Sequence, residues 1–203
     1  MNETTYRIKP FDQSGLLDGE RNPSSAGGAC HLFALKWLSL IIADKGQGTA
    51  ARINALERYA REVRILYKAF GDRWQREGGR YADDGTAKIL GVEVTDFQQP
   101  GSFAHVANAV RREHRSGFVY SFWFSGGGAH SIGVYRSGAK WGGHIYVLEP
   151  NFGEYKMKKS QFVNWLTGFL APSYAAFGNI TSHQLRYVRA YTSPGVKGGV
   201  KVM

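Results

Sequence analysis

The chain has 203 residues, of which 43% are hydrophobic, and it carries a formal net charge of +10 at pH 7. This composition is sufficient for one substantial core, and because no Pro- or Ser-rich linker divides the sequence we expect a single domain over residues 1–203. A single cysteine excludes an internal disulfide. No opening apolar run and no apolar stretch of membrane-spanning length is present, so we expect a soluble protein without a secretory signal peptide.

The amino-terminal segment, residues 1–25, is predicted to be irregular because proline and glycine recur along it. Helices are predicted beyond it, where apolar residues recur at three- and four-residue steps between capping or breaking residues. They cover Cys30–Ala43, Thr49–Arg76, Ala82–Leu90 and Phe103–Glu113, the last with Ser102 as its N-cap. A brief strand at Val92–Val94 is predicted between the last two.

Four arginines, Arg52, Arg58, Arg61 and Arg64, fall within the helix predicted over residues 49–76. Apolar residues at helical spacing form one face of this helix, which is the face expected to contact the core. We therefore expect the arginines to lie on the solvated face.

The carboxyl-terminal half of the sequence has a different character, with short β-branched and aromatic runs separated by glycine. The predicted strands are Phe118–Phe124, His130–Tyr135, His144–Leu148 and Leu185–Tyr191, with one further helix at Ser160–Leu170. Helices followed by strands indicate an α+β fold.

Cys30 follows a glycine pair, Gly27-Gly28, at the start of the first long predicted helix. A thiol in the first turn of a helix is close to unpaired backbone N–H groups and to the positive end of the helix dipole, which favour the thiolate. Free cysteines are also among the most buried residues, so this position alone leaves a nucleophile and a buried apolar residue as open alternatives.

Two strands on either side of a glycine-containing loop are predicted to form a β-hairpin, with its centre between Ala139 and Lys140. This register sets His130 opposite Glu149 on one face, with Cβ atoms about 5 Å apart. His144 falls on the other face, so His130 is the better candidate base. Taken singly, His130 is also typical of an ordinary polar strand residue and Glu149 of a surface charge.

These residue types together indicate nucleophilic catalysis. A neighbouring histidine can take the proton of a cysteine, and an acid can fix the imidazole tautomer and stabilise its charge. Cys30, His130 and Glu149 would fill these roles. The backbone N–H of Cys30 is a candidate donor to an oxyanion, and Asn22 is a weaker second.

Three sequence blocks contain these residues. They are Gly28-Ala29-Cys30-His31-Leu32 with Trp37-Leu38, Gly128-Ala129-His130-Ser131-Ile132-Gly133-Val134, and Leu148-Glu149-Pro150-Asn151-Phe152-Gly153-Glu154. The blocks resemble the cysteine, histidine and acid blocks of YopT-type (peptidase C58) cysteine proteases, papain-like enzymes found as bacterial effectors and toxin domains. The family usually has aspartate where this chain has Glu149. We interpret the four residues after Pro150 as a turn that presents Glu149.

The resemblance implies a papain-like α+β fold in which a helical lobe carrying the cysteine packs on an antiparallel sheet carrying the histidine and the acid. It implies a thiol endopeptidase that cleaves a specific protein through an acyl-enzyme, without a metal or other cofactor. Family members are virulence effectors or toxins, which implies secretion by a specialised system and action in the cytosol of a target cell. An antibacterial toxin would have an immunity or inhibitor protein as partner.

Two other functions fit parts of the sequence. The same triad in a basic protein suits a papain-like amidase that cleaves cell-wall peptides. The positive charge and the 14% aromatic content suit a nucleic-acid-binding module, but no recognition motif supports it and we expect no nucleic-acid partner. The glycines at 126–128 are predicted to form a rim that admits the substrate backbone.

Overall fold

A seven-stranded antiparallel sheet with helices on both faces forms the computed structural model, which describes residues 1–17, 26–44, 46–77, 79–113, 116–138 and 143–192. The strands are β1 (Arg7–Pro10), β2 (Val92–Gln98), β3 (Gly117–Phe124), β4 (Ala129–Arg136), β5 (His144–Glu149), β6 (Gly153–Lys158) and β7 (Ile180–Ala190). The helices are α1 (Gln13–Leu16), α2 (Ala26–Ala43), α3 (Thr49–Glu77), α4 (Gly79–Ile89), α5 (Phe103–Arg112), α6 (Phe162–Trp165) and α7 (Ala171–Ser173). Neighbouring strands follow the order β1-β6-β5-β4-β3-β7-β2. The predicted α+β class is confirmed.

Two apolar clusters fill the space between the sheet and its two helical layers. Helices α2, α3 and α4 pack on one face, in a cluster that includes Trp37, Leu56 and Leu148. Helix α5 and the segment from α6 to α7 cover the other face, in a cluster that includes Ile132 and Trp165. The central strands β3 and β4 are therefore buried on both faces, which explains why they are apolar at most positions.

A close approach between α2 and β4 depends on Gly133. A Cβ atom at this position would lie 2.9 Å from Cε3 of Trp37 and 3.2 Å from the carbonyl oxygen of Ala34. Any larger residue would push α2 away from the sheet, because neither the helix backbone nor the fully buried indole has space to move aside. The distance between the Cys30 helix and the His130 strand is thus set by a glycine.

A buried carboxylate links α2 and α3 to the sheet. Glu154 of β6 is fully buried and ion-paired with Arg52 of α3. The Nε1 group of Trp37 donates to Oε2 of Glu154 at 2.9 Å, and Nε of Arg52 donates to the same oxygen at 3.2 Å. Removing either charge would leave the other buried without its partner, which is strongly destabilising.

The predicted exposure of the helical arginines is wrong for Arg52, which is buried, and is confirmed for Arg58 and Arg61. The side chain of Arg64 lies outside those that the structure describes. Helical periodicity separates faces, but it cannot show that a carboxylate distant in sequence approaches one residue at the start of the helix.

The prediction of an irregular segment over residues 1–25 is wrong for β1, which pairs with β6, and for α1. The carboxylate of Asp12 caps α1 by accepting a hydrogen bond from the backbone N–H of Ser14 at 2.9 Å. Strand β6 was not predicted because its first residues were interpreted as part of a turn. Residues 18–25 lie outside the described part of the chain.

The other predicted elements are present, with differences at their ends. Helix α3 begins at the predicted residue, and the hydroxyl of Ser102 caps α5 by accepting from the N–H of His105 at 3.3 Å. Strand β7 begins at Ile180 rather than Leu185. The helix predicted over residues 160–170 consists of α6 followed by a π turn over Leu166–Leu170. Within the described residues, no helix has the length and apolar content needed to cross a membrane.

Candidate active site

Three predicted residues from distant parts of the sequence lie together at one edge of the sheet. Cys30 lies on α2, His130 near the start of β4 and Glu149 at the end of β5. Because β4 and β5 are antiparallel, the start of one strand and the end of the other reach the same edge. The Cys30 side chain is hydrogen-bonded to His130, and the opposite nitrogen of that ring contacts Glu149.

The predicted hairpin register is wrong by two residues. The structure pairs Gly133 with Leu148 and Val134 with Val147, so the hairpin is centred one residue later than predicted. Side chains alternate with a period of two, so a two-residue slip leaves every residue on its predicted face. The shared face of His130 and Glu149 is therefore preserved, although the two are not directly opposite.

This register suits a glutamate. Continued to the strand ends, it sets Glu149 opposite Ile132 and diagonal to His130. Diagonal neighbours in an antiparallel pair are about 7–8 Å apart, which long side chains can span. The extra methylene of Glu149, relative to aspartate, lets its carboxylate reach the imidazole.

The Glu149 carboxylate makes close contacts with both of its oxygens. Nε2 of His130 lies 2.8 Å from Oε1 and 3.0 Å from Oε2. The backbone N–H of Asn151 also donates to Oε1, at 2.9 Å. Since Nε2 faces the carboxylate, Nδ1 of His130 is the nitrogen available to the Cys30 sulfur.

Tyr174 completes this cluster and was not identified from the sequence. Its hydroxyl donates to Oε1 of Glu149 at 3.0 Å and lies 2.9 Å from Nε2 of His130. Its ring packs on the imidazole with centroids 4.7 Å apart. No motif marks Tyr174 in the sequence, because it lies 25 residues after the acid and reaches the site only through the turn that follows α7.

Asn151 and Gln13 form hydrogen bonds that hold the surroundings of Glu149 in place. The side-chain amide of Asn151 donates to the Tyr174 hydroxyl at 2.7 Å and accepts from Nε2 of Gln13 at 2.7 Å. The backbone N–H of Gln13 donates to the carbonyl of Pro150 at 2.8 Å. The interpretation of the four residues after Pro150 as a turn that presents Glu149 therefore fits Asn151, but it is wrong for Glu154, which lies in β6.

The electrostatics favour a protonated imidazole. Burial by itself lowers the pKa of His130, but the Glu149 carboxylate and the Cys30 sulfur outweigh this effect and raise the pKa to about 10. Cys30 and Glu149 have no exposed surface, and His130 is 5% exposed. In such a low-dielectric site, charges interact strongly.

The start of α2 differs from the prediction. The helix begins at Ala26, so Cys30 lies in its second turn rather than its first. The first four N–H groups of a helix are the ones without intrahelical acceptors, and Cys30 is the fifth residue. Because its N–H is not one of these four groups, the position of Cys30 in the helix does not support the prediction that this N–H donates to an oxyanion. Asn22, the second candidate donor, lies outside the described residues.

Comparisons with known proteins place these observations in a family. The family model Peptidase C58, described as Yersinia/Haemophilus virulence surface antigen, matches residues 68–191, more than half of the chain. That range includes His130 and Glu149, whereas Cys30 precedes it. The Pseudomonas avirulence protein AvrPphB has a similar structure, with a TM-score of 0.69 at 13% identity, over 93% of this chain and 100% of that chain. This likeness confirms the predicted papain-like fold. No curated protein matches the chain.

We predict that His130 stays protonated through neutral pH. Its folded-state pKa is raised from 6.5 to about 10, so the interaction stabilises the folded protein below pH 6.5 and this contribution is lost as the pH rises through about 10. The ring nitrogens should therefore both carry protons at pH 7 in NMR spectra of labelled histidine, assigned with His130→Ala. Glu149→Gln removes the carboxylate and should lower this pKa. A wild-type value at or below 6.5 would contradict the prediction.

Tyr174→Phe should destabilise the protein by about 1–3 kcal/mol, because it leaves the half-buried amide of Asn151 without its acceptor and the buried Glu149 with one donor fewer. The control is Tyr59→Phe. Among the described residues, the Tyr59 hydroxyl is buried without a hydrogen-bond partner, so its removal should not destabilise. Urea denaturation measures both variants. Equal losses of stability would show that the Tyr174 hydroxyl has no special role.

Proposed function

The chain belongs to the peptidase C58 family and is a cysteine protease, and we propose that Cys30, His130 and Glu149 carry out its reaction. The observation that most strongly supports this assignment is the unbroken hydrogen-bonded series from the Cys30 sulfur through the imidazole to the buried carboxylate. The base thereby contacts both a nucleophile and the group that orients the base.

In the first half of the reaction, His130 holds the proton of Cys30 and the resulting thiolate attacks the carbonyl carbon of the scissile peptide bond. A carbon–sulfur bond forms, and the carbonyl electrons move to the oxygen of the tetrahedral intermediate. The intermediate collapses to a thioester as the carbon–nitrogen bond breaks. His130 gives its proton to the leaving amine, which departs as the new amino terminus of the product.

In the second half, water attacks the thioester. His130, now neutral, takes a proton from that water, and a second tetrahedral intermediate collapses to release the carboxylic acid product. The thiolate that leaves is again paired with the imidazolium. No redox or metal chemistry is required.

Glu149 acts by holding and stabilising the imidazole. Its contact with Nε2 keeps Nδ1 directed toward Cys30 and balances the positive charge of the protonated ring. Tyr174 and the N–H of Asn151 hold the carboxylate in place, so Glu149 has little freedom to turn away. The candidate oxyanion donors are the backbone N–H of Cys30 and the side chain of Asn22.

The substrate we propose is a specific protein in a target cell. The family description names virulence surface antigens, and delivery of this protein by a specialised secretion system follows from that membership as a proposal. If the target is another bacterium, the producing cell needs an inhibitor protein against self-intoxication. The fold and the triad do not depend on which cell is the target.

The proposed function predicts loss of proteolysis in Cys30→Ala and a fall in kcat/KM of at least about a hundredfold in His130→Ala, since general acid–base catalysis contributes that much or more. The matched control is His144→Ala, which changes a histidine of the same hairpin on the opposite face and should stay within a few-fold of wild type. New protein amino termini are identified by mass spectrometry in lysates treated with each variant.

Protein amino termini that appear with wild type and with His144→Ala, but not with the other two variants, also identify the substrate. Their appearance with Cys30→Ala would rule out the proposed nucleophile. A parallel digestion of purified peptidoglycan tests cell-wall amidase activity. Release of stem peptides without new protein termini would contradict the proposal of a protein substrate.

A further inference from the structure

We propose that Phe177 forms a specificity subsite that binds an apolar side chain on the carboxyl-terminal side of the scissile bond. This inference rests on the proposed function, because it takes Cys30 and His130 as the reacting pair. It adds to that function a preference for one kind of substrate side chain. Phe177, which sets this preference, lies outside the three sequence blocks and is not part of the triad.

Phe177 is an exposed aromatic residue beside the buried site. Its side chain is 56% exposed, whereas Phe124 and Tyr174, which it contacts, are 8% and 5% exposed. Other exposed large apolar residues in the described part of the chain are Met1, Ile8, Ile65 of α3 and Ile89 of α4. A single exposed apolar residue is ordinary, so the argument depends on its position and its support.

A continuous row of rings joins Phe177 to the imidazole. The Phe177 ring lies 5.5 Å from that of Phe124 and 6.2 Å from that of Tyr174. Phe124 and Tyr174 are 5.6 Å apart, and Tyr174 packs on His130 at 4.7 Å. The rings become more exposed along the row from His130 to Phe177, so the row ends as an apolar surface next to the site.

The backbone around Phe177 is fixed. Its carbonyl accepts from the N–H of Gly126 at 3.1 Å, and the carbonyl of Asn179 accepts from the N–H of Ser125 at 2.8 Å. A Cβ atom at position 126 would lie 2.6 Å from the Phe177 carbonyl oxygen. This internal contact requires a glycine at position 126, and the rim over residues 126–128 stays a prediction. A ring held in this way loses little entropy when a ligand covers it.

The chemistry of the reaction indicates which half of the substrate passes Phe177. His130 protonates the leaving amine, so the segment on the carboxyl-terminal side of the scissile bond lies along the imidazole. The acyl half stays bonded to Cys30 on α2. Phe177 is joined to the imidazole through Tyr174, so the leaving segment is the half of the substrate that can reach it.

The occupant is therefore an aliphatic or aromatic side chain of the leaving segment. The side chains of Phe177 and Phe124 present carbon atoms only. Contact of this kind favours apolar substrate side chains, because it removes the surfaces of the side chain and of the Phe177 ring from water. A charged side chain at the same substrate position would lose hydration without gaining a partner.

The test is cleavage of a proteome-derived peptide library by wild type, Phe177→Ala, Phe177→Leu and the control Ile89→Ala, with mass spectrometry of both halves of each product. Wild type and Ile89→Ala should share an apolar preference carboxyl-terminal to the cleaved bond. Phe177→Ala should lose that preference, with about a tenfold fall in kcat/KM for apolar peptides, and Phe177→Leu should retain most of it. Alkylation of Cys30 by iodoacetamide should be equal in all four proteins.

An unchanged cleavage profile in Phe177→Ala would overturn the inference while leaving the proposed function intact. A fall in the alkylation rate of Phe177→Ala would also overturn it, because Phe177 would then act on the catalytic groups themselves. Failure of wild type to cleave any peptide, or equal cleavage by Cys30→Ala, would instead contradict the proposed function. The two failures are thus distinguishable.

Discussion

The interaction between His130 and Glu149 is the constraint on which the rest of the site depends. Both groups are buried, and burial alone would lower the pKa of the imidazole. A fully buried carboxylate is costly unless it is paired and hydrogen-bonded. Here one oxygen of Glu149 accepts from the imidazole, from a tyrosine hydroxyl and from a backbone N–H. The pairing keeps the ring charged beside the sulfur, as a thiolate–imidazolium pair requires.

The fold keeps the third group, Cys30, within reach of that pair. Helix α2 lies directly on β4 because Gly133 has no side chain, and the fully buried Glu154 binds both Trp37 of α2 and Arg52 of α3. The proposed nucleophile and the proposed base thus belong to two layers that are held together by one glycine contact and one buried ion pair. Catalytic groups need such fixed supports, because small displacements of reacting atoms are costly.

Periodic properties of the sequence predicted the α+β class and the shared face of His130 and Glu149. Cys30 was identified from its position at the start of a predicted helix, and the papain-like fold was implied by the resemblance of three sequence blocks. Strand alternation separated His130 from His144, and this result survived a register error because the error was an even number of residues. Contacts that join distant segments were not predictable. Tyr174, Gln13 and the Arg52–Glu154 pair each depend on chain segments that meet only in the folded protein, and no local pattern marks them. The predicted register was derived from a glycine-rich loop whose sequence does not determine where the hairpin turns. The observed register explains why a glutamate suits position 149.

The central claim is that a carboxylate of glutamate length at position 149 makes Cys30 nucleophilic through His130. The most direct measurement is the rate of iodoacetamide alkylation of Cys30 at pH 6 in wild type, Glu149→Asp, Glu149→Gln and His130→Ala. The wild-type rate should exceed that of His130→Ala by at least about tenfold, because an unassisted thiol is almost wholly protonated at this pH. Glu149→Asp should be intermediate, and Glu149→Gln should approach His130→Ala. Equal rates in all four proteins would contradict the account.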